Sequence, residues 1–104
     1  MTVTTITNRH PCRRYVSDVN LTIYVEEGCS GCQRARRLAV DAARRYPALE
    51  VGIVDIGAPG VTVPDDVFAV PTYKLNGRVI SLGNPTTEGL NLELEDAFAK
   101  IEGQ

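Results

Sequence analysis

Leu21-Thr-Ile-Tyr-Val-Glu-Glu-Gly-Cys-Ser-Gly-Cys32 is the stretch on which the fold turns. Leu21 to Val25 alternates and is rich in β-branched and aromatic residues, the signature of a strand. Glu26 to Cys32 then forms a loop, opened by Gly28 and Gly31. Beyond it, Ala35, Leu38, Ala39, Ala42 and Tyr46 recur at spacings of three and four, while Arg34, Arg37, Asp41, Arg44 and Arg45 fall largely on the other side. That periodicity predicts an amphipathic helix from Cys32 to about Tyr46, ended by Pro47. A Cys-x-x-Cys pair therefore stands between the end of a strand and the start of a helix.

That position has chemical consequences. A thiol reacts as its thiolate, and a cysteine at a helix N-terminus is acidified by unsatisfied N–H groups and the positive end of the helix dipole. Cys29 is placed to attack a partner disulfide, and Cys32, inside the first turn, to attack the mixed disulfide that results. Arg34 and Arg36 add charge that favours the thiolate; Glu26 and Glu27 oppose it. The competing reading is a binding module whose cysteines hold zinc or an iron–sulfur cluster. A structural zinc site wants four ligands, and the only further candidates are His10 and Cys12, an unusual half-site. Redox chemistry is therefore preferred, with no metal and no cofactor expected.

Outward from this centre, Leu49 to Ile56 is apolar enough for a strand buried on both faces. Ala58-Pro-Gly60 breaks it, and Pro64 to Phe68 has the composition of one or two helical turns. Pro71 to Leu75 and Arg78 to Leu82 flank Asn76-Gly77, a dipeptide suited to the positive φ angles of a type I′ hairpin. Thr86 or Thr87 caps a final helix striped by Leu90, Leu94, Ala97, Phe98 and Ile101. Met1 to Asn20 reads as an N-terminal extension whose Thr2 to Thr7 has the β-branched content of an edge strand. The expected order is β-α-β-(short α)-β-β-α. This is an α/β domain over residues 21–104, with a four-stranded mixed sheet and helices on both faces.

Composition narrows the function. The 104 residues suffice for one domain, and 43% hydrophobic content for one core. Eleven basic against thirteen acidic residues exert no overall pull on nucleic acid or anionic lipid. No apolar run approaches the roughly 20 residues of a membrane span, and Met1 to Thr7 lacks the pattern of a secretory leader. The expectation is a cytoplasmic protein without membrane or nucleic-acid partners. Three cysteines, an odd number, do not form a disulfide framework. Cys12, in its basic surroundings, reads as an incidental thiol of the extension, and the helix arginines as a solvated face.

Over about residues 21 to 102 the sequence resembles the thioredoxin/glutaredoxin superfamily. The resemblance rests on Cys29-Ser-Gly-Cys32 after a strand, on Val70-Pro71-Thr72 opening the third strand, and less strongly on Asn76-Gly77 and Gly83. It implies thiol–disulfide oxidoreductase activity toward protein or small-molecule disulfides, with a thioredoxin reductase or glutathione as electron donor. It also implies that Pro71 is cis and packs against the cysteine pair, and that Val70, Pro71 and Thr72 receive an extended substrate segment. The chain departs from thioredoxins proper in having no Trp, Ser30-Gly31 between the cysteines, and Ile23 where the family's first strand carries a buried Asp. It departs from glutaredoxins in Gly83-Asn84-Pro85-Thr86, where a glutathione-holding Gly-Gly and Asp-rich segment is usual.

Overall fold

The computed structural model describes residues 3–6 and 19–102, with side chains over 19–100. The elements are β1 (Val3–Ile6), β2 (Asn20–Val25), α1 (Ser30–Arg45), β3 (Glu50–Asp55), β4 (Thr72–Leu75), β5 (Arg78–Leu82) and α2 (Thr87–Glu102). The strands form one mixed sheet in the order β1-β3-β2-β4-β5. β2 and β3 run parallel, joined by α1, and β4 pairs antiparallel with both β2 and β5. The expected four strands are all present. A fifth, β1, lies antiparallel along β3, with Val3 opposite Val54 and Ile6 opposite Val51. The β-branched run of the extension thus finds its backbone partners on the free side of β3.

Register sorts the side chains. Leu21 stands opposite Val51 and Leu75, and Ile23 opposite Ile53 and Tyr73, so these residues share one face. All are buried, and they join Ala35, Leu38, Ala39 and Ala42 of α1 and Leu90 and Leu94 of α2 in a single core. The small alanines let α1 lie close on the sheet. Both helices occupy this face, and they meet where Tyr46 stacks on Phe98 at 5.7 Å between ring centroids. The Tyr46 hydroxyl also donates to Glu95 at 3.0 Å.

The second face is covered differently from the sequence expectation. The helical turns expected over Pro64 to Phe68 do not form; the segment makes one turn, with the Val67 N–H bonded to the Pro64 carbonyl at 3.0 Å, and then continues without regular structure. A helix that short cannot offset the cost of its own nucleation, and tertiary contacts hold the segment instead. Asp66 accepts from Lys74 at 2.6 Å, and the Lys74 ammonium lies 5.5 Å from the centre of the Tyr24 ring. Helices on both faces thus become helices on one face and a loop on the other.

The hairpin follows the sequence reading. Asn76 and Gly77 have φ of 52° and 84°, the two positive values a type I′ turn requires. Asn76 also ties the turn to the start of β2: its N–H donates to the Asn20 carbonyl and its Oδ1 accepts from the Asn20 N–H, both at 2.8 Å. α1 stops at Tyr46, whose backbone has left the helical region that the following Pro47 disfavours. No helix among the described residues is long and apolar enough to cross a membrane.

Candidate active site

Four segments converge at the C-terminal end of β2. The first is the turn Glu26-Glu-Gly28, in which Gly28 takes φ of 87°, a value that glycine adopts without steric cost. The turn delivers Cys29 to the N-cap position of α1 with its N–H on the Glu26 carbonyl at 3.3 Å. Cys29 and Cys32 are joined as a disulfide, with Cα atoms 5.3 Å apart. Their environments differ: Cys29 is partly exposed, whereas Cys32 is 3% exposed and belongs to the core. No side chain caps the first turn of α1, and that turn holds no acidic residue.

The second segment is Val70-Pro71, joined by a cis peptide bond. The Pro71 ring lies against Gly31, the second of the two residues between the cysteines, with its Cδ 3.6 Å from where a Cβ on Gly31 would stand. Val70 is half-buried beside the core. Thr72 is fully buried, and its hydroxyl donates to the Ala69 carbonyl at 2.6 Å. The third segment is the loop after β5, where the Gly83 N–H donates to the Pro71 carbonyl at 2.7 Å and Asn84 Nδ2 donates to the Gly31 carbonyl at 2.8 Å.

The fourth is the end of β3. Asp55, with Glu26, Glu27 and Arg36, lines an open cleft of about 410 Å³ that contains both cysteines. Asp55 is held by the Gly57 N–H at 2.9 Å. Ile23, where the family's buried Asp would stand, is fully enclosed in the core. The carboxylates of this chain therefore approach the pair from the rim of the cleft. Among the described residues no group of three or more His, Cys, Asp or Glu is placed to hold a metal; His10 and Cys12 lie outside the described residues.

Sequence reasoning brought together Cys29, Cys32, Val70, Pro71 and Thr72, and the structure puts these five on adjoining segments. It did not single out Asn84, whose role rests on partners distant in the chain. It also assigned nothing to Asp55, although the end of an apolar strand next to a parallel neighbour is where open sheets gather functional side chains.

No family model matches the chain. The thioredoxin of Methanocaldococcus jannaschii is 31% identical to it over 77 residues, which cover 72% of this chain and 91% of that protein. The chain belongs to the thioredoxin family. At that level the activity is thiol–disulfide exchange, and the Cys29–Cys32 bridge is the thioredoxin-type redox-active disulfide. Family membership also implies disulfide substrates and a reductase partner in general terms. In this thioredoxin-family member the bridge lies in the cleft rimmed by Glu26, Glu27 and Asp55, and the amide of Asn84 holds the peptide between the cysteines.

Proposed function

We propose that this chain reduces disulfides of proteins or small molecules, with Cys29 as the attacking thiol and Cys32 as the resolving one. The observation that carries the assignment is the difference in exposure within one bridge, half-open at Cys29 and closed at Cys32. A Cys29 thiolate takes the N-cap position that a serine or aspartate oxygen occupies elsewhere, so the free N–H groups of the first turn stabilise its charge. It attacks one sulfur of the substrate, and the other leaves with the bonding electron pair and gains a proton. Cys32, deprotonated, then attacks Cys29 Sγ; the intramolecular bridge closes and the second substrate thiol departs. The substrate gains two electrons and the pair loses them.

Val70 and Pro71 flank the bridge and offer backbone to an extended substrate segment. Thr72, with its side chain buried and its hydroxyl occupied, would contribute through its backbone alone. A thioredoxin reductase or glutathione would return the pair to the dithiol, in the cytoplasm on the present reading. The test is reduction of insulin disulfides with dithiothreitol as the terminal reductant. Cys29→Ser is expected to abolish turnover, and Cys32→Ser to accumulate a mixed disulfide on Cys29. Equal residual activity in the two variants would overturn the roles. Stoichiometric metal in anaerobically purified protein, lost on Cys29→Ser, would favour the binding-module reading instead.

A further inference from the structure

The loop between β5 and α2 reaches back across the molecule through one side chain. Asn84 donates from Nδ2 to the Gly31 carbonyl at 2.8 Å and accepts at Oδ1 from the Tyr73 hydroxyl at 2.7 Å. The orientation of this amide is dictated by its partners. A backbone carbonyl only accepts, so the NH₂ end must face Gly31; Oδ1 is left for Tyr73, whose hydroxyl must then donate. Tyr73 is fully buried, and burial pushes its phenol well up, against a smaller opposing pull from Arg34. The donor therefore persists across the range in which thiols exchange. The loop that carries Asn84 is itself anchored: the Gly83 N–H reaches the Pro71 carbonyl, and the Ser81 hydroxyl donates to the Gly83 carbonyl, both at 2.7 Å.

What Asn84 grips is the peptide unit separating the two cysteines. Gly31 is in the first turn of α1, and Asn84 Nδ2 and Pro71 Cδ both crowd the place a Cβ on it would take, at 3.4 and 3.6 Å. Within the closed bridge the two sulfurs are already joined. In the dithiol, or with a substrate sulfur on Cys29, that link is absent, and the placement of Cys32 against Cys29 rests on the backbone of the first helical turn. A restraint on Gly31 removes freedom that the bridged form has already given up, and so raises the effective concentration of the Cys32 sulfur at Cys29.

We propose that Asn84, oriented by Tyr73, is a positioning residue for the second step of exchange. It holds Gly31 so that Cys32 attacks Cys29 Sγ, expels the substrate sulfur with its electron pair, and closes the bridge. The inference rests on Cys29 and Cys32 being the exchanging pair. It deepens that reading by identifying what sets the balance between dithiol and disulfide.

The test equilibrates the full chain with dithiothreitol and its cyclic disulfide and reads the oxidised fraction by thiol alkylation. In parallel, the rate of thionitrobenzoate release from a preformed mixed disulfide on Cys29 is followed. Asn84→Ala is expected to shift the equilibrium about fivefold toward the dithiol and to slow release by a similar factor, as befits one net hydrogen bond. Tyr73→Phe, which keeps the ring and removes only the orienting hydroxyl, should shift both in the same direction by less. The double variant should go no further than Asn84→Ala alone. Should Asn84→Ala fail to fold, Tyr73→Phe decides by the same two readings. Variants that lose thermal stability but match the wild type in both readings overturn the inference and leave the proposed function standing. A wild-type pair that does not exchange with dithiothreitol overturns both.

Discussion

The two helices begin in opposite ways. α2 starts on Thr86, whose hydroxyl accepts from the Gly89 N–H at 2.9 Å, and it carries Glu88 in its first turn. One of its orphan N–H groups is met by the Thr86 hydroxyl, and the positive end of its dipole by the Glu88 carboxylate. α1 starts on Cys29, with no side-chain cap and no acid in the first turn. One terminus is finished for stability. The other is left with unmet donors beside a sulfur, and those donors become useful when the sulfur carries charge. Helix starts in this chain therefore differ by task, although both sit at loop–helix junctions of the same small domain.

Cys29→Ser breaks the comparison most sharply. It is expected to remove turnover altogether while giving α1 a conventional cap. Measured against the reduced wild type, the variant should be more stable by about 1 kcal/mol, read from thermal or urea unfolding. Thr86→Ala is the mirror experiment: about 1 kcal/mol of stability lost, with the insulin-reduction rate per folded molecule unchanged. Ser30→Asp sharpens the contrast by giving α1 the acid that α2 already has. It should raise the Cys29 thiol pKa and slow iodoacetamide alkylation near neutral pH roughly two- to fivefold, the range of a surface charge at a helix end.

The smallest effect is expected where the sequence suggested a third helix start and the structure has none. The hydrogen bond from Lys74 holds the Asp66 carboxyl below its ordinary value of 3.8, and Asp66 in turn holds the Lys74 ammonium above 10.5. Asp66 therefore contributes stability above its unfolded pKa, and the contribution fades as pH falls through the lower folded value. The contribution of Lys74 is present below 10.5 and fades as pH rises through its higher folded value. Asp66→Asn should flatten both limbs of a stability-versus-pH curve. With Asp66 largely exposed, the change should be slight.

These contrasts also explain which parts were legible in the sequence. The cysteine pair, the Asn76-Gly77 turn and the stripe containing Leu90 and Leu94 were readable because each signal lies within a few residues. Pro64 to Phe68 misled because helix-start chemistry was present without the length to propagate, and a lysine ten residues beyond Pro64 decided the matter. The placement of both helices on one face was hidden for a related reason, since it depended on that segment being a loop. Asn84 was unreadable as a positioning residue. Its two partners lie 11 and 53 residues away in sequence, and no local pattern marks an amide as bridging them.

β1 has a consequence of another kind. Without it, β3 would present six residues of bare backbone, with Val51, Ile53 and Val54 among them, as a template on which a neighbouring molecule could grow its own sheet. A four-residue strand with two central threonines occupies that template from within the same chain. The backbone margin is thereby shortened from six residues to four. The strand that the extension supplies thus covers this template from within the chain, with β3 and β2 standing between it and the hairpin.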